Sequence, residues 1–147
     1  MNPFPVEQRS VQVLLISPHE EDHHHLRQIL RRSQWQQHDA HTIAEAVAFL
    51  ERHPTPVAIC ESELPDGTWR ELLSQIEGIE YPPMVVVTAR LADEALWSHV
   101  LNLGGYNVLA KPLAAAEVFH VVSFAWLCWK SQWHLPGEAA PPQSVAV

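Results

Sequence analysis

The stretch Val11-Gln12-Val13-Leu14-Leu15-Ile16-Ser17-Pro18-His19-Glu20 decides the fold. Its first six residues are almost continuously apolar and rich in valine and isoleucine, as expected of a strand buried on both faces. Ser17-Pro18 ends the run, and apolar residues then recur at helical spacing from Glu20 to Arg32. The same rhythm returns at Pro56-Val57-Ala58-Ile59-Cys60 and at Met84-Val85-Val86-Val87. Weaker strands are placed over His38 to Thr42 and Tyr106 to Ala110, largely by their neighbours. Helices are predicted over Glu20 to Arg32, Ile43 to Arg52, Thr68 to Glu77, Ala92 to Leu103, and Ala114 to about Trp133. Thr42 with Glu45 makes a capping box for the second helix, and Gly104-Gly105 ends the fourth. Strict alternation of strand and helix predicts an α/β fold, a doubly wound five-stranded parallel sheet in a (βα)5 sandwich.

The chain has 147 residues, enough for one domain with a buried core. Its 9 Lys+Arg against 17 Asp+Glu give a formal charge of −8, which disfavours direct contact with nucleic acid or an anionic membrane surface. Cys60 and Cys128 lie far apart in apolar surroundings, so two buried thiols in a reducing compartment are expected rather than a disulfide. The longest apolar run, Val118 to Trp129, is broken by His120 and Ser123 and is shorter than the roughly 20 residues a membrane span needs. With no basic-then-apolar leader, a cytoplasmic protein is expected. Residues 1–10 and 135–147 are read as a flexible start and a flexible, proline-containing tail around a domain at 11–134.

In a doubly wound sheet the functional crevice lies beyond the carboxyl ends of the strands. The residues there are Ser17 and Pro18, then Glu61-Ser62-Glu63-Leu64-Pro65-Asp66-Gly67, then Thr88-Ala89, then Lys111-Pro112. This set, in this order and at these strand ends, resembles the receiver domain of two-component response regulators, a flavodoxin-like fold. The resemblance covers Val11 to Trp133. It implies phosphorelay signal transduction rather than an enzyme, with a phosphoacceptor aspartate after the third strand and an acidic pair after the first that helps hold Mg²⁺. It further implies a hydroxyl residue and a lysine that bind the phosphoryl oxygens.

Carried over residue by residue, Thr88 and Lys111 match the phosphoryl-pocket positions. Glu61 stands at the phosphoacceptor position, where the family has Asp. Ser17 and Pro18 stand at the metal-pair positions, where the family has acids. Val108 replaces the switch aromatic, and Tyr106, two positions earlier, is not promoted to that role. Mg²⁺ prefers oxygen ligands with carboxylates among them, so a Ser-Pro pair implies weak or absent binding. Phosphoryl transfer depends on positioning and charge stabilisation, and the extra methylene of Glu61 can misplace its oxygen by about 1 Å, an error worth roughly 100-fold. Ordinary phosphoacceptance is therefore expected to be lost. Glu61 then either imitates a phosphorylated aspartate or forms a structural ion pair with Lys111; a conventional phosphoryl-accepting relay is the alternative.

The run His19-Glu20-Glu21-Asp22-His23-His24-His25 places potential metal ligands at i and i+4, and its plainer reading is a solvated helix start. A cysteine-dependent enzyme on the same fold is a remote alternative, since alternation turns Cys60 away from Glu61 and into the core. In the last helix, Phe119, Val122, Trp126, Trp129 and Trp133 form one seam, and Val118, Val121, Ala125 and Cys128 a second. The second seam is expected to cover the sheet, and the Trp-rich one to be an interface. In receivers, the face made by the fourth helix, fifth strand and fifth helix commonly mediates contacts. The resemblance thus implies a homodimer through the last helix and protein partners, a histidine kinase or a downstream signalling protein.

Overall fold

The computed structural model describes residues 11–132. In chain order these form β1 (Gln12–Ile16), α1 (Glu20–Leu30), β2 (Gln36–Ala40), α2 (Ile43–Arg52), β3 (Val57–Glu61), β4 (Glu63–Leu64), β5 (Gly67–Thr68), α3 (Trp69–Ile76), β6 (Met84–Ala89), α4 (Glu94–Asn102), β7 (Asn107–Ala110) and α5 (Ala115–Gln132). Five strands make one parallel sheet in the order β2-β1-β3-β6-β7. The order reverses between β1 and β3, so a crevice opens at their carboxyl ends. β4 and β5 form a small antiparallel hairpin that strand patterning alone did not reveal, because two residues per strand carry no period.

The alternation of strand side chains builds two cores. Leu14, Ile16, Ala58, Cys60, Val85 and Val87 face one side, where Leu50, Leu72 and Val100 of α2, α3 and α4 cover them. Val13, Leu15, Val57, Ile59 and Val86 face the other, under Leu26 of α1 and Val118, Val122 and Ala125 of α5. The central strands β1 and β3 are buried at every residue, which is why their sequences show no polar alternation. β2 is an edge strand with polar, partly exposed residues, and it lies two residues earlier than its neighbours suggested. Its register is set by pairing with β1, from Gln12 opposite Gln36 to Ile16 opposite Ala40.

Helix ends follow local chemistry. The Thr42 hydroxyl accepts from the Glu45 N–H at 3.1 Å, but the Glu45 carboxylate reaches back to the N–H of His41 rather than that of Thr42. The complete reciprocal capping box is instead at α3, between Thr68 and Glu71. α4 ends as its glycines predicted. Gly104, at φ 101°, donates to Leu101, and Gly105 donates to Val100 at 2.8 Å, a Schellman closure.

α5 corrects two expectations. Val118, Val122, Ala125 and Trp129 form the stripe that meets the sheet, so Val122 and Trp129 are core residues and not an exposed seam. The indole N–H of Trp129 donates to the Pro82 carbonyl at 3.0 Å. Phe119 and Trp126 flank the stripe, partly buried, with Phe119 edge-on to Trp35. Cys128 is exposed, not buried, because it lies off the sheet-facing stripe. The exposed apolar residues of α5 are Phe124 and Leu127, joined elsewhere by Leu91, Trp97, Leu101 and Leu103 on and around α4. Trp133 and the two predicted flexible ends lie outside the described residues.

Candidate functional site

Each strand that reaches the crevice is extended by one more backbone hydrogen bond to its neighbour. The Ser17 N–H donates to Ala40, the Ser62 N–H to Thr88, and the Lys111 N–H to Ala89, all within 3.0 Å. These bonds continue the parallel ladder past the strand ends and aim the residues that follow into one cleft of about 760 Å³. The Lys111–Pro112 peptide is cis.

Lys111 is the centre of the cleft. Its ammonium donates to Glu61 Oε1 at 2.5 Å and to the two oxygens of Asp22 at 3.0 and 3.2 Å. The Ser17 hydroxyl donates to Asp22 Oδ2 at 2.6 Å and accepts from the His19 N–H at 3.1 Å. On the far side, the Ser62 hydroxyl donates to Glu61 Oε2 at 3.3 Å. The result is a continuous chain, Ser17–Asp22–Lys111–Glu61–Ser62, running across the mouths of β1, β3 and β7. Thr88 is buried beside it and pairs with Glu61 in the β3–β6 register.

Electrostatics matches this geometry. Burial alone pushes the Asp22 carboxyl up, but the Ser17 hydrogen bond and then Lys111 outweigh it and hold it below the usual carboxylate range. Burial pulls the Lys111 ammonium down, and the bonds to Glu61 and Asp22 more than reverse this, leaving its pKa raised. Cys60 plays no part in the cleft: it is fully buried, and that burial pushes its thiol far up, away from the reactive thiolate form.

The sequence placed Glu61, Lys111, Ser17 and Thr88 at this mouth, and the structure brings Glu61 and Lys111 into direct contact. Pro18 caps the end of β1 and offers no hydrogen-bond donor. Val108 packs against the core covered by α2, α3 and α4. What sequence reasoning missed is Asp22, taken there for part of a solvated helix start. It is the third residue after the His19 N-cap, from which an acidic side chain reaches back over the helix mouth. His23 was missed too. It is buried, donates through Nε2 to the Ser17 carbonyl at 2.8 Å, and meets Asp39 through Nδ1 at 2.6 Å. Arg27 pairs with the other oxygen of Asp39, so His23 supports Ser17 from behind instead of facing solvent with His19.

A parallel sheet with reversed strand order and a lysine–carboxylate cleft at its carboxyl edge defines a flavodoxin-like α/β domain with its candidate site at the strand ends. The profile described as "Response regulator receiver domain" matches residues 13–123, and the chain belongs to that family. Among curated proteins it is similar to the transcriptional regulatory protein DpiA of Escherichia coli (strain K12), with 31% identity over 75 residues, 51% of this chain and 33% of that protein. The match thus spans about a third of its relative's length. Among solved structures it resembles the signal receiver domain of a putative Luxo repressor protein from Vibrio parahaemolyticus, with TM-score 0.77, 20% identity, and coverage of 84% of this chain and 95% of that one. It also resembles the signal receiver domain of an HD domain-containing protein from Pseudomonas fluorescens Pf-5, with TM-score 0.76, 22% identity, and coverage of 90% and 97%. At these identities the likeness establishes the fold. Among the described residues no helix is long and apolar enough to cross a membrane.

Proposed function

We propose that this receiver acts in two-component signalling by protein contact, without accepting a phosphoryl group itself. The observation that carries the reading is the 2.5 Å bond between Lys111 and Glu61. The lysine is engaged by a carboxylate at the phosphoacceptor position before any phosphoryl group arrives, so Glu61 serves as a permanent ion-pair partner in place of a phosphorylated aspartate. The pocket does not fit Mg²⁺ as it stands. The Ser17 hydroxyl is spent on Asp22 and His19, Pro18 supplies nothing, and both carboxylates hold an ammonium where an ion would sit.

The output is then contact between proteins, in the cytoplasm, with a histidine kinase or a downstream signalling protein. Neither nucleic acid nor a membrane is engaged directly. A homodimer through the last helix remains part of the reading. Its exposed residues are now Phe124 and Leu127, with Phe119 and Trp126 at the flank and Val122 and Trp129 withdrawn to the core. The beryllofluoride-activated NtrC4 receiver domain, a solved structure 20% identical to this chain with TM-score 0.74, is a dimer.

Incubation with a small acyl phosphate and Mg²⁺, followed by intact mass measurement, tests the central point. The expected result is an unmodified chain. A phosphoryl adduct on Glu61 would establish the conventional relay in its place.

A further inference from the structure

We infer that His41 is a pH-responsive clamp at the flank of the sheet: as an imidazolium it ties the first turn of α1 to the first turn of α2, and on losing a proton it releases one of them. The inference goes beyond the proposed function and holds whether or not Glu61 accepts a phosphoryl group.

His41 follows β2 directly, so chain direction carries it to the carboxyl edge of the sheet, between the starts of two helices that cover opposite faces. Its ring reaches both. Nε2 lies 2.7 Å from Glu20 Oε2 at the start of α1, and Nδ1 lies 3.2 Å from Glu45 Oε1 in the first turn of α2. An ionised carboxylate offers acceptors only, so each ring nitrogen must carry a proton to make its bond. A neutral imidazole carries one proton, not two. Whichever nitrogen gives its proton up then turns a lone pair toward a carboxylate, and the link between Glu20 and Glu45 breaks at that point.

The ionisable groups around the ring come from every element that packs against it. The His41 ring tilts against that of His23 on α1, with centroids 4.7 Å apart. His23 in turn meets Asp39 of β2, which Arg27 of α1 holds by its other oxygen. Beyond Glu45, Asp66 in the β4–β5 turn accepts from the Ile43 and Ala44 N–H groups at 2.9 and 3.1 Å. The bond to Glu45, and then that to Glu20, outweigh burial and raise the His41 pKa above its ordinary 6.5. The backbone N–H and ring of His41 together hold Glu45 below its ordinary 4.5. The clamp is therefore complete below 6.5, is lost as pH rises through the raised His41 value, and persists on the acid side down to the lowered Glu45 value. Thr42 and Asp66 fix the start of α2 without His41, so the side that gains freedom is the start of α1.

The test is NMR on the full chain, following the His41 ring nitrogens and the Glu20 carboxyl carbon from about pH 5 to about pH 9, the span over which an imidazole titrates. In wild type the His41 midpoint is expected above 6.5, with the Glu20 carbon stepping at the same midpoint. The His41 side chain is 40% exposed, so each acid has a modest effect. Glu20→Gln and Glu45→Gln are each expected to lower the midpoint by roughly 0.2–0.7 in pH. His41→Gln is expected to remove the Glu20 step. Glu20 is 80% exposed, so E20Q leaves the fold intact and suffices alone if either other variant unfolds. The competing explanation is a local pair of His41 with Glu45, to which α1 contributes nothing. It requires one midpoint shared by wild type and E20Q, and a Glu20 carbon that ignores the His41 transition. Either result would overturn the inference.

Discussion

Asp22 and Lys111 are 89 positions apart in the chain, yet each contributes to the other's pKa shift, Lys111 helping to lower Asp22 and Asp22 helping to raise Lys111. The sign of the pH dependence follows from the direction of each shift. The Asp22 carboxyl lies below its ordinary 3.8 in the folded state, so its contribution is present above that value and is lost as pH falls through the depressed pKa. Lys111 is raised above its ordinary 10.5, so its contribution is complete below that value and is lost as pH rises through the higher folded pKa. Asp22→Asn is therefore expected to destabilise the fold near neutral pH by about 1.5–3 kcal/mol, the range for hydrogen bonds to charged partners. The gap between D22N and wild type should narrow below pH 3.8. Urea unfolding of both proteins across the pH range checks this, and a gap independent of pH would refute it. The placement of Glu61 and Lys111 at the mouth of the crevice was legible because strand direction and strand ends are local properties. Asp22 was not, because an acid in a first helical turn has the same local signature whether it faces water or a lysine from the far end of the chain.

At the scale of elements, α5 and the α4 terminus make contrasting predictions. Trp129→Ala removes a buried indole that packs on the sheet side and bonds Pro82, and should cost about 3–5 kcal/mol. Phe124→Ser, on the exposed face, should change stability by no more than about 0.5 kcal/mol. Thermal melts of the two variants distinguish the observed stripe from the seam that the tryptophan spacing suggested. That suggestion failed for a physical reason: both seams are apolar at helical spacing, and the angle at which α5 settles on β3, β6 and β7 buries a stripe drawn from each, Val118 and Ala125 from one and Val122 and Trp129 from the other. Gly105 offers a second check. A Cβ there would lie 2.4 Å from Val100 Cγ1, so Gly105→Ala should destabilise by about 1–3 kcal/mol through overpacking at the α4 end. The glycine pair was readable as a helix stop because C-cap geometry is set by adjacent residues. The β4–β5 hairpin was not, since its strands are too short to show a pattern.

At the scale of the molecule, the large exposed apolar residues among those described lie on and around α4, as Leu91, Trp97, Leu101 and Leu103, and on α5, as Phe124 and Leu127. If association in solution runs through these residues, it is driven by apolar burial and not by charge. Self-association measured by analytical ultracentrifugation should then persist from low salt to about 1 M salt, where the Debye length falls to ~3 Å and surface ion pairs are screened. Loss of association with added salt would assign it to charged groups instead.

The sequence by itself determined the alternation of strands and helices, the two buried faces of β1 and β3, the position of the crevice, and the lysine and glutamate at its mouth. All of these depend on period, propensity and chain direction, which act over a few residues. Only the tertiary structure decided that Asp22 and His23 turn inward, that Trp129 faces the sheet, and that Cys128 does not. Each of those outcomes rests on which distant element packs opposite, and a single helix carries no record of its partner.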